Sequence, residues 1–188
     1  DWGLPIAMVL HRLRADGTDL DALELDDLDN AYRDGQQAGR SDSRGLEITA
    51  ERNIGAHRIA ELEEQNEGAR LAREAAANTL VALQQGDEDL VRDWNKLIDC
   101  TMRAVHEILD RLNVALGEEH NRGESFYRSH LPEVVEAFES SNLAEVDDGA
   151  LVVRFQGRDR PMLLRKSDGG FLYATTDLAA VRNRVLDE

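Results

Sequence analysis

Apolar positions divide the chain into two kinds of segment. Over most of its length they recur at steps of three and four, the spacing that gathers them on one helical face. At 113–116, 151–155 and 162–165 they come in short runs, the pattern of strands. Residues 1–14 (DWGLPIAMVLHRLR) read as a loop entering a short amphipathic helix, with Ile6, Val9, Leu10 and Leu13 on one side. The acidic stretch 16–34 carries Leu20, Leu23, Leu25 and Leu28 and predicts a loop followed by a short helix over 25–34. Gly, Ser and Gln concentrate in 35–45 (GQQAGRSDSRG), which reads as a flexible connection.

From 49 to 85 the pattern is helical and highly charged, with Ile54, Ile59, Leu62, Leu71, Ala75, Leu80 and Leu83 as its apolar positions. They are too sparse for a sustained heptad, so a solvated face is expected rather than a coiled-coil seam. Gly86-Asp87 is a stop followed by a new start. The strongest pattern in the chain follows over 87–112. Leu90, Trp94, Leu97, Ile98, Thr101, Val105, Ile108, Leu109 and Leu112 form one wide stripe whose burial would anchor a helix. Asn113 to Leu116, bounded by Gly117, predicts a short buried strand, and a turn carries the chain over 120–125. A helix over 129–140 turns Leu131, Val134, Val135 and Phe138 inward. Strands over 151–155 and 162–165 are joined at 156–159 as a hairpin. A last helix begins near Thr175 or Thr176, whose hydroxyls suit helix caps, and runs through Leu178, Val181 and Val185. The expected class is α/β: predominantly helical, with a helical insertion over 16–86 and a small antiparallel β-hairpin insertion over 145–170.

Composition narrows the function classes. At 188 residues with 41% hydrophobic residues the chain is long enough for a substantial core. No apolar run approaches the about 20 residues that cross a bilayer, so no membrane partner is expected. The single Cys100 excludes an internal disulfide and suits a reducing compartment, which makes the cytoplasm the expected location. Net charge is −16, and among 22 basic residues only Lys96 and Lys166 are lysines. Such a chain is repelled by nucleic acid unless its arginines cluster.

A few residues carry candidate chemistry. Tyr173 and Asp177 stand four residues apart after the Gly169-Gly170 turn. If a helix opens at Tyr173, Asp177 lies one turn further along the same face, and the pair can hold a cationic donor such as a guanidinium against a flat wall. Each also has a plainer reading, Asp177 as a helix-start acid and Tyr173 as core. Glu124, between Gly123 and Ser125, sits where a turn leads into a helix. It reads either as an acid favoured by the helix dipole or as a ligand contact. Arg165-Lys166 beside the glycine turn offers a phosphate corner or simply a solvated pair. The histidines His11, His57, His106, His120 and His130 show no metal-ligand spacing. With no HExxH, no CxxC, no Gly-rich phosphate loop and no Ser/His/Asp set, no structural metal is expected.

Three segments together resemble the arginyl-tRNA synthetases, class I aminoacyl-tRNA synthetases. They are Asp1-Trp2-Gly3, the stretch RGESFY at 122–127 and SDGGFLYATTDLAA at 167–180, in the order that family uses. LVALQQGDEDLVRDWNKLID at 80–99 resembles the helical region before the glutamate motif, whereas 16–78 match by position only. The resemblance implies a central fragment of a Rossmann-type catalytic domain. It implies that Glu124 and Asp177 accept the guanidinium of L-arginine, with Tyr173 packed against it. It puts Asp1, Trp2, Gly3 and Ser125 among the neighbours of the active site, with packing an equal reading for Trp2.

The resemblance further implies ATP and Mg²⁺ for the full-length enzyme, none of it bound to the fragment alone, and tRNA-Arg as a partner of the full-length protein. The HIGH-like and KMSKS-like motifs that carry the ATP chemistry are absent from these 188 residues. They are expected upstream and downstream, as is an anticodon-binding domain, and the fragment alone is expected to be inactive and monomeric. Two other readings stay open: a non-catalytic arginine-binding paralogue of a synthetase, and an acidic helical protein-interaction module built on 49–112.

Overall fold

The computed structural model describes residues 1–52 and 55–186. They form two compact units, Asp1–Glu119 and His120–Glu188.

The first unit is helical. Helix α1 (Leu4–Ala15) starts with Pro5 in its first turn, where a missing backbone N–H leaves nothing unsatisfied, and it buries Ala7, Val9, Leu10 and Leu13. A 3-10 turn, Leu20–Ala22, leads to α2 (Leu25–Ala38), then α3 (Ser43–Glu51), α4 (Ala56–Gln85) and α5 (Glu88–Arg111). Helix α1 packs along α4 and α2, and α5 touches α1, α2 and α4. Val9, Leu10, Leu13, Leu23, Ala31, Leu97 and Cys100 form the core between them. The buried Cys100 thiol donates to the Leu23 carbonyl at 3.4 Å.

The expected flexible connection over 35–45 is mostly helix. Gly35 lies inside α2 and is buried, and a Cβ there would stand 2.7 Å from Cγ of Met8. That glycine permits close approach of α2 to α1 rather than flexibility, so the connection shrinks to 39–42. Asp42 then caps α3 by accepting from the Gly45 amide at 2.8 Å. The helix expected over 49–85 is interrupted: α3 ends at Glu51 and α4 begins after Gly55, whose φ is +56°. Ile54 lies outside the described residues. The buried stripe of α4 is Leu62, Ala69, Ala76 and Leu83. Two of those positions are alanines, whose small side chains are inconspicuous in an apolar pattern. Gly86 ends the helix in the left-handed region (φ 88°), and the Gly86 and Asp87 amides donate to Leu83 and Ala82. Asp87 then caps α5 by accepting from the Leu90 amide at 3.0 Å.

The stripe on α5 is only partly used. Leu97 and Cys100 are buried, but Val105, Ile108 and Leu112 are exposed, Leu112 to 67%. The strand expected over 113–116 does not form. Asn113 adopts φ 55°, a left-handed conformation that asparagine tolerates, and the Val114 amide donates back to the Leu109 carbonyl at 2.9 Å. These residues terminate α5, and Val114 and Leu116 are exposed rather than buried.

The second unit joins two helices to a small sheet. A 3-10 segment, Glu124–His130, runs into α6 (Leu131–Ser140). Strands β1 (Glu145–Asp147), β2 (Ala150–Val153) and β3 (Met162–Arg165) form an antiparallel sheet in the order β1-β2-β3, and α7 (Tyr173–Leu186) closes the unit. Asp148-Gly149 joins β1 to β2 with φ 49° and 79°, a two-residue turn whose twist matches that of the strands. The β2–β3 hairpin matches expectation, although β2 is shorter and Phe155 is exposed beyond its end. The chain is thus mostly helical with one small antiparallel sheet, as its pattern predicts. Val135, Leu151, Val153 and Leu164 form one core under the sheet, and Tyr127, Leu131, Val134 and Ala179 form another where the 3-10 segment and α6 meet α7.

Leu97→Ala should lower unfolding stability by about 2–5 kcal/mol, whereas Ile108→Ala on the same helix should change it by less than about 0.5 kcal/mol. Urea unfolding of the two variants checks that α5 is held by its N-terminal half.

Candidate functional site

The end of β3 and the start of α7 are held by a closed turn. The Lys166 amide donates to the Gly170 carbonyl at 2.8 Å, and the Gly169 amide to the Lys166 carbonyl at 3.0 Å. The Gly170 amide donates to Oδ1 of Asp168 at 2.9 Å. Gly169 has φ 86°, a conformation that favours glycine, and Phe171 bridges back to Arg165. These three amides are engaged within the turn and so are not offered to a phosphate at Arg165-Lys166. The Thr175 amide then donates to the Leu172 carbonyl at 3.0 Å and the helix opens at Tyr173. Thr175 and Thr176 therefore sit inside the first turn and are not caps. The Thr175 hydroxyl instead donates to the Leu164 carbonyl at 2.5 Å.

With the helix opening there, Tyr173 and Asp177 share a face one turn apart. Tyr173 is 74% exposed, which rules out its reading as a core residue, and Asp177 is exposed as well. Both line a cavity of about 600 Å³, whose wall also includes Phe155, Arg158, Arg160, Met162, Leu178 and Val181. The lining combines a carboxylate and a phenol from the helix, two arginines from the β2–β3 connection, and apolar side chains. Such a lining offers partners to a small molecule that carries both a cation and an anion. The sequence reading treated 156–159 only as a turn and so missed Arg158 and Arg160. An Arg-x-Arg pair in so acidic a chain was the available signal.

Glu124 is exposed and opens the 3-10 segment after Gly123. Residues three apart eclipse on a 3-10 turn, so Glu124 shares a face with Tyr127, and Tyr127 packs against Ala179 of α7. Glu124 thus stands one turn before the contact with the helix that carries Asp177, although it is not part of the cavity wall. Ser125 is half-buried beside it. Arg122 lies over the ring of Phe126 at 4.7 Å.

Asp1, Trp2 and Gly3 belong to the first unit and are tied to its helices. The Trp94 indole N–H donates to the Asp1 carbonyl at 2.7 Å, and Trp2 meets Trp94 edge-on at 4.9 Å. The Gln84 side chain donates to the Trp2 carbonyl at 3.3 Å, and Gly3 is the residue before α1. Trp2 therefore has a packing role.

Comparison with known proteins shows the family of the chain. Residues 1–188 match the family described as tRNA synthetases class I (R), catalytic domain. An arginine–tRNA ligase of Cutibacterium acnes is 33% identical over 185 residues, covering 98% of this chain and 28% of the relative. One from Haemophilus ducreyi is 37% identical over 191 residues, covering 98% and 29%. The crystal structure of arginyl-tRNA synthetase from Plasmodium falciparum superposes with a TM-score of 0.52 at 26% identity, over 76% of this chain and 26% of that one. The match is thus first to the class I synthetase catalytic domains as a class. Within that class, the chain belongs to the arginyl-tRNA synthetase family. It spans under a third of the length of these relatives.

Tyr173→Ala should leave unfolding stability within about 0.5 kcal/mol of the parent, because the ring is mostly in solvent. Leu164→Ala, at a fully buried position, should cost about 2–5 kcal/mol. Urea unfolding of the pair separates a displayed ring from a structural one.

Proposed function

We propose that this chain is the arginine-selecting part of an arginine–tRNA ligase. In this reading Asp177 and Glu124 accept hydrogen bonds from the substrate guanidinium, and Tyr173 packs against its plane. The observation that carries the reading is the display of Tyr173 and Asp177 toward one cavity from the first turn of α7. A guanidinium is a planar fork of donors, so two carboxylates and an aromatic wall recognise both its charge and its shape. The compact ammonium of lysine fills fewer of those acceptors. A site with polar groups left unpaired rejects the wrong substrate strongly.

In the complete enzyme, a carboxylate oxygen of arginine attacks the α-phosphorus of ATP. A P–O bond forms as the bond to pyrophosphate breaks. The arginyl group then passes to a hydroxyl of the terminal ribose of tRNA-Arg, with AMP leaving. The part played by Glu124, Tyr173 and Asp177 is to bind and orient the far end of the substrate; they do not touch the reacting carboxylate. Mg²⁺ offsets phosphate charge in such chemistry, usually held by one or two carboxylates and the phosphates themselves. Among the described residues, no group of three or more His, Cys, Asp or Glu side chains is placed to hold a metal.

The remaining parts of the reading are consistent with this. Residues 16–86 and 145–170 are insertions in a Rossmann-type domain, and Ser125 borders the active site. Contacts with tRNA are made by parts of the protein other than this strongly acidic chain. Among the described residues no helix is long and apolar enough to cross a membrane. Cytoplasmic location and a monomeric state complete the proposal.

In the complete enzyme, Asp177→Asn should lower kcat/KM for arginine at least about tenfold, or about 1.4 kcal/mol, with the KM for ATP little changed. Arginine-dependent ATP–pyrophosphate exchange measures this, and a smaller loss would remove Asp177 from the site. The same assay on the isolated chain should give no exchange, because the HIGH-like and KMSKS-like motifs are not in it.

A further inference from the structure

We propose that Thr175 is a positioning residue for guanidinium recognition, its hydroxyl setting the rotation of the first turn of α7 and so the direction in which Tyr173 and Asp177 face. This rests on the assignment of those two residues to the substrate. Threonines inside helices usually donate to the carbonyl four residues back. Thr49, Thr79 and Thr101 do so here, with Gly45, Ala75 and Leu97 as their acceptors. Thr175 does not. Its hydroxyl crosses to the Leu164 carbonyl on β3 at 2.5 Å, and both residues are fully buried.

The position of Thr175 in the turn gives that bond its leverage. A helix advances about 100° per residue. Thr175 lies midway between Tyr173 and Asp177 in sequence, so its side chain leaves the axis about 180° from the direction that the other two share. Pinning Thr175 inward to the sheet therefore turns Tyr173 and Asp177 outward to the cavity. Phe171, bridged to Arg165, ties the residues just before the helix to the end of β3 as well. Without the hydroxyl, the Leu164 carbonyl loses a buried donor and the turn loses its only side-chain bond to β3 among the described residues. Misplacement of a binding group by about 1 Å can cost on the order of a hundredfold in rate.

The test compares Thr175→Val, Thr175→Ser and Thr175→Ala with Asp177→Asn in the complete enzyme, by ATP–pyrophosphate exchange. Thr175→Val keeps the shape and loses the donor; it should raise the KM for arginine about tenfold and leave the KM for ATP within about twofold. Thr175→Ser keeps the donor and loses a methyl group; it should melt at a lower temperature yet hold its arginine KM within about twofold of the parent. If Thr175→Val does not fold, the serine and alanine variants decide, since they differ only in the hydroxyl: alanine should show the raised arginine KM and serine should not. A lowered melting temperature with arginine KM unchanged in Val or Ala would make Thr175 merely structural and overturn the proposal. So would a serine variant as impaired toward arginine as alanine. If Asp177→Asn itself leaves arginine use intact, the underlying site assignment fails, which is distinct from silent Thr175 variants beside a crippled Asp177→Asn.

Discussion

Leu164 does two things in the second unit. Its side chain is sealed in the core with Val135, Leu151 and Val153, and its carbonyl accepts the Thr175 hydroxyl across the gap between β3 and α7. A strand carbonyl buried this way needs a donor, because an unpaired one costs about 1–3 kcal/mol. The hydroxyl that satisfies it is the inward-facing group of the turn that carries Tyr173 and Asp177 outward. The glycine turn at 166–170 closes the same joint from the backbone side. A core constraint at Thr175 and the proposed recognition pair Tyr173 and Asp177 thus fall within one helical turn.

Charge explains why a displayed pair suffices to start a site. An exposed carboxylate gains little from a passing cation in water, since screening and side-chain entropy offset most of the attraction. In the proposed reading the cavity changes this by adding apolar walls and the Tyr173 ring to the carboxylate, with Arg158 and Arg160 in the same lining. Under that proposal, preference for arginine over lysine rests on the number and plane of the donors rather than on net charge. The second carboxylate, Glu124, is carried on a separate element anchored by Tyr127. Its contribution depends on how the 3-10 segment docks against α7.

Much of this was legible in the chain. Steps of three and four located α1, α5 and α6, and Gly86-Asp87 marked the boundary between α4 and α5. Where the reading failed, small or ambiguous residues carried the decision. Ala69, Ala76 and Gly35 form helix contacts by being small, which no hydrophobic pattern registers. Asn113 ended a helix by adopting a left-handed conformation where an apolar run suggested a strand. Asp148-Gly149 carried a hairpin signal that located β1 but was overlooked. For the site, the Tyr173–Asp177 spacing was enough to put both on one face. The exposure of Tyr173, the cavity wall from Arg158 and Arg160, and the inward bond of Thr175 depend on contacts distant in sequence, and spacing does not contain them.

The central claim is that the first turn of α7 receives the substrate guanidinium. A crystal structure of the complete enzyme with L-arginine tests it most directly. The account predicts guanidinium nitrogens at about 2.7–3.2 Å from the Asp177 carboxylate, with the guanidinium plane against the Tyr173 ring. Arginine bound with its guanidinium on other residues, and Asp177 left facing solvent, would contradict it.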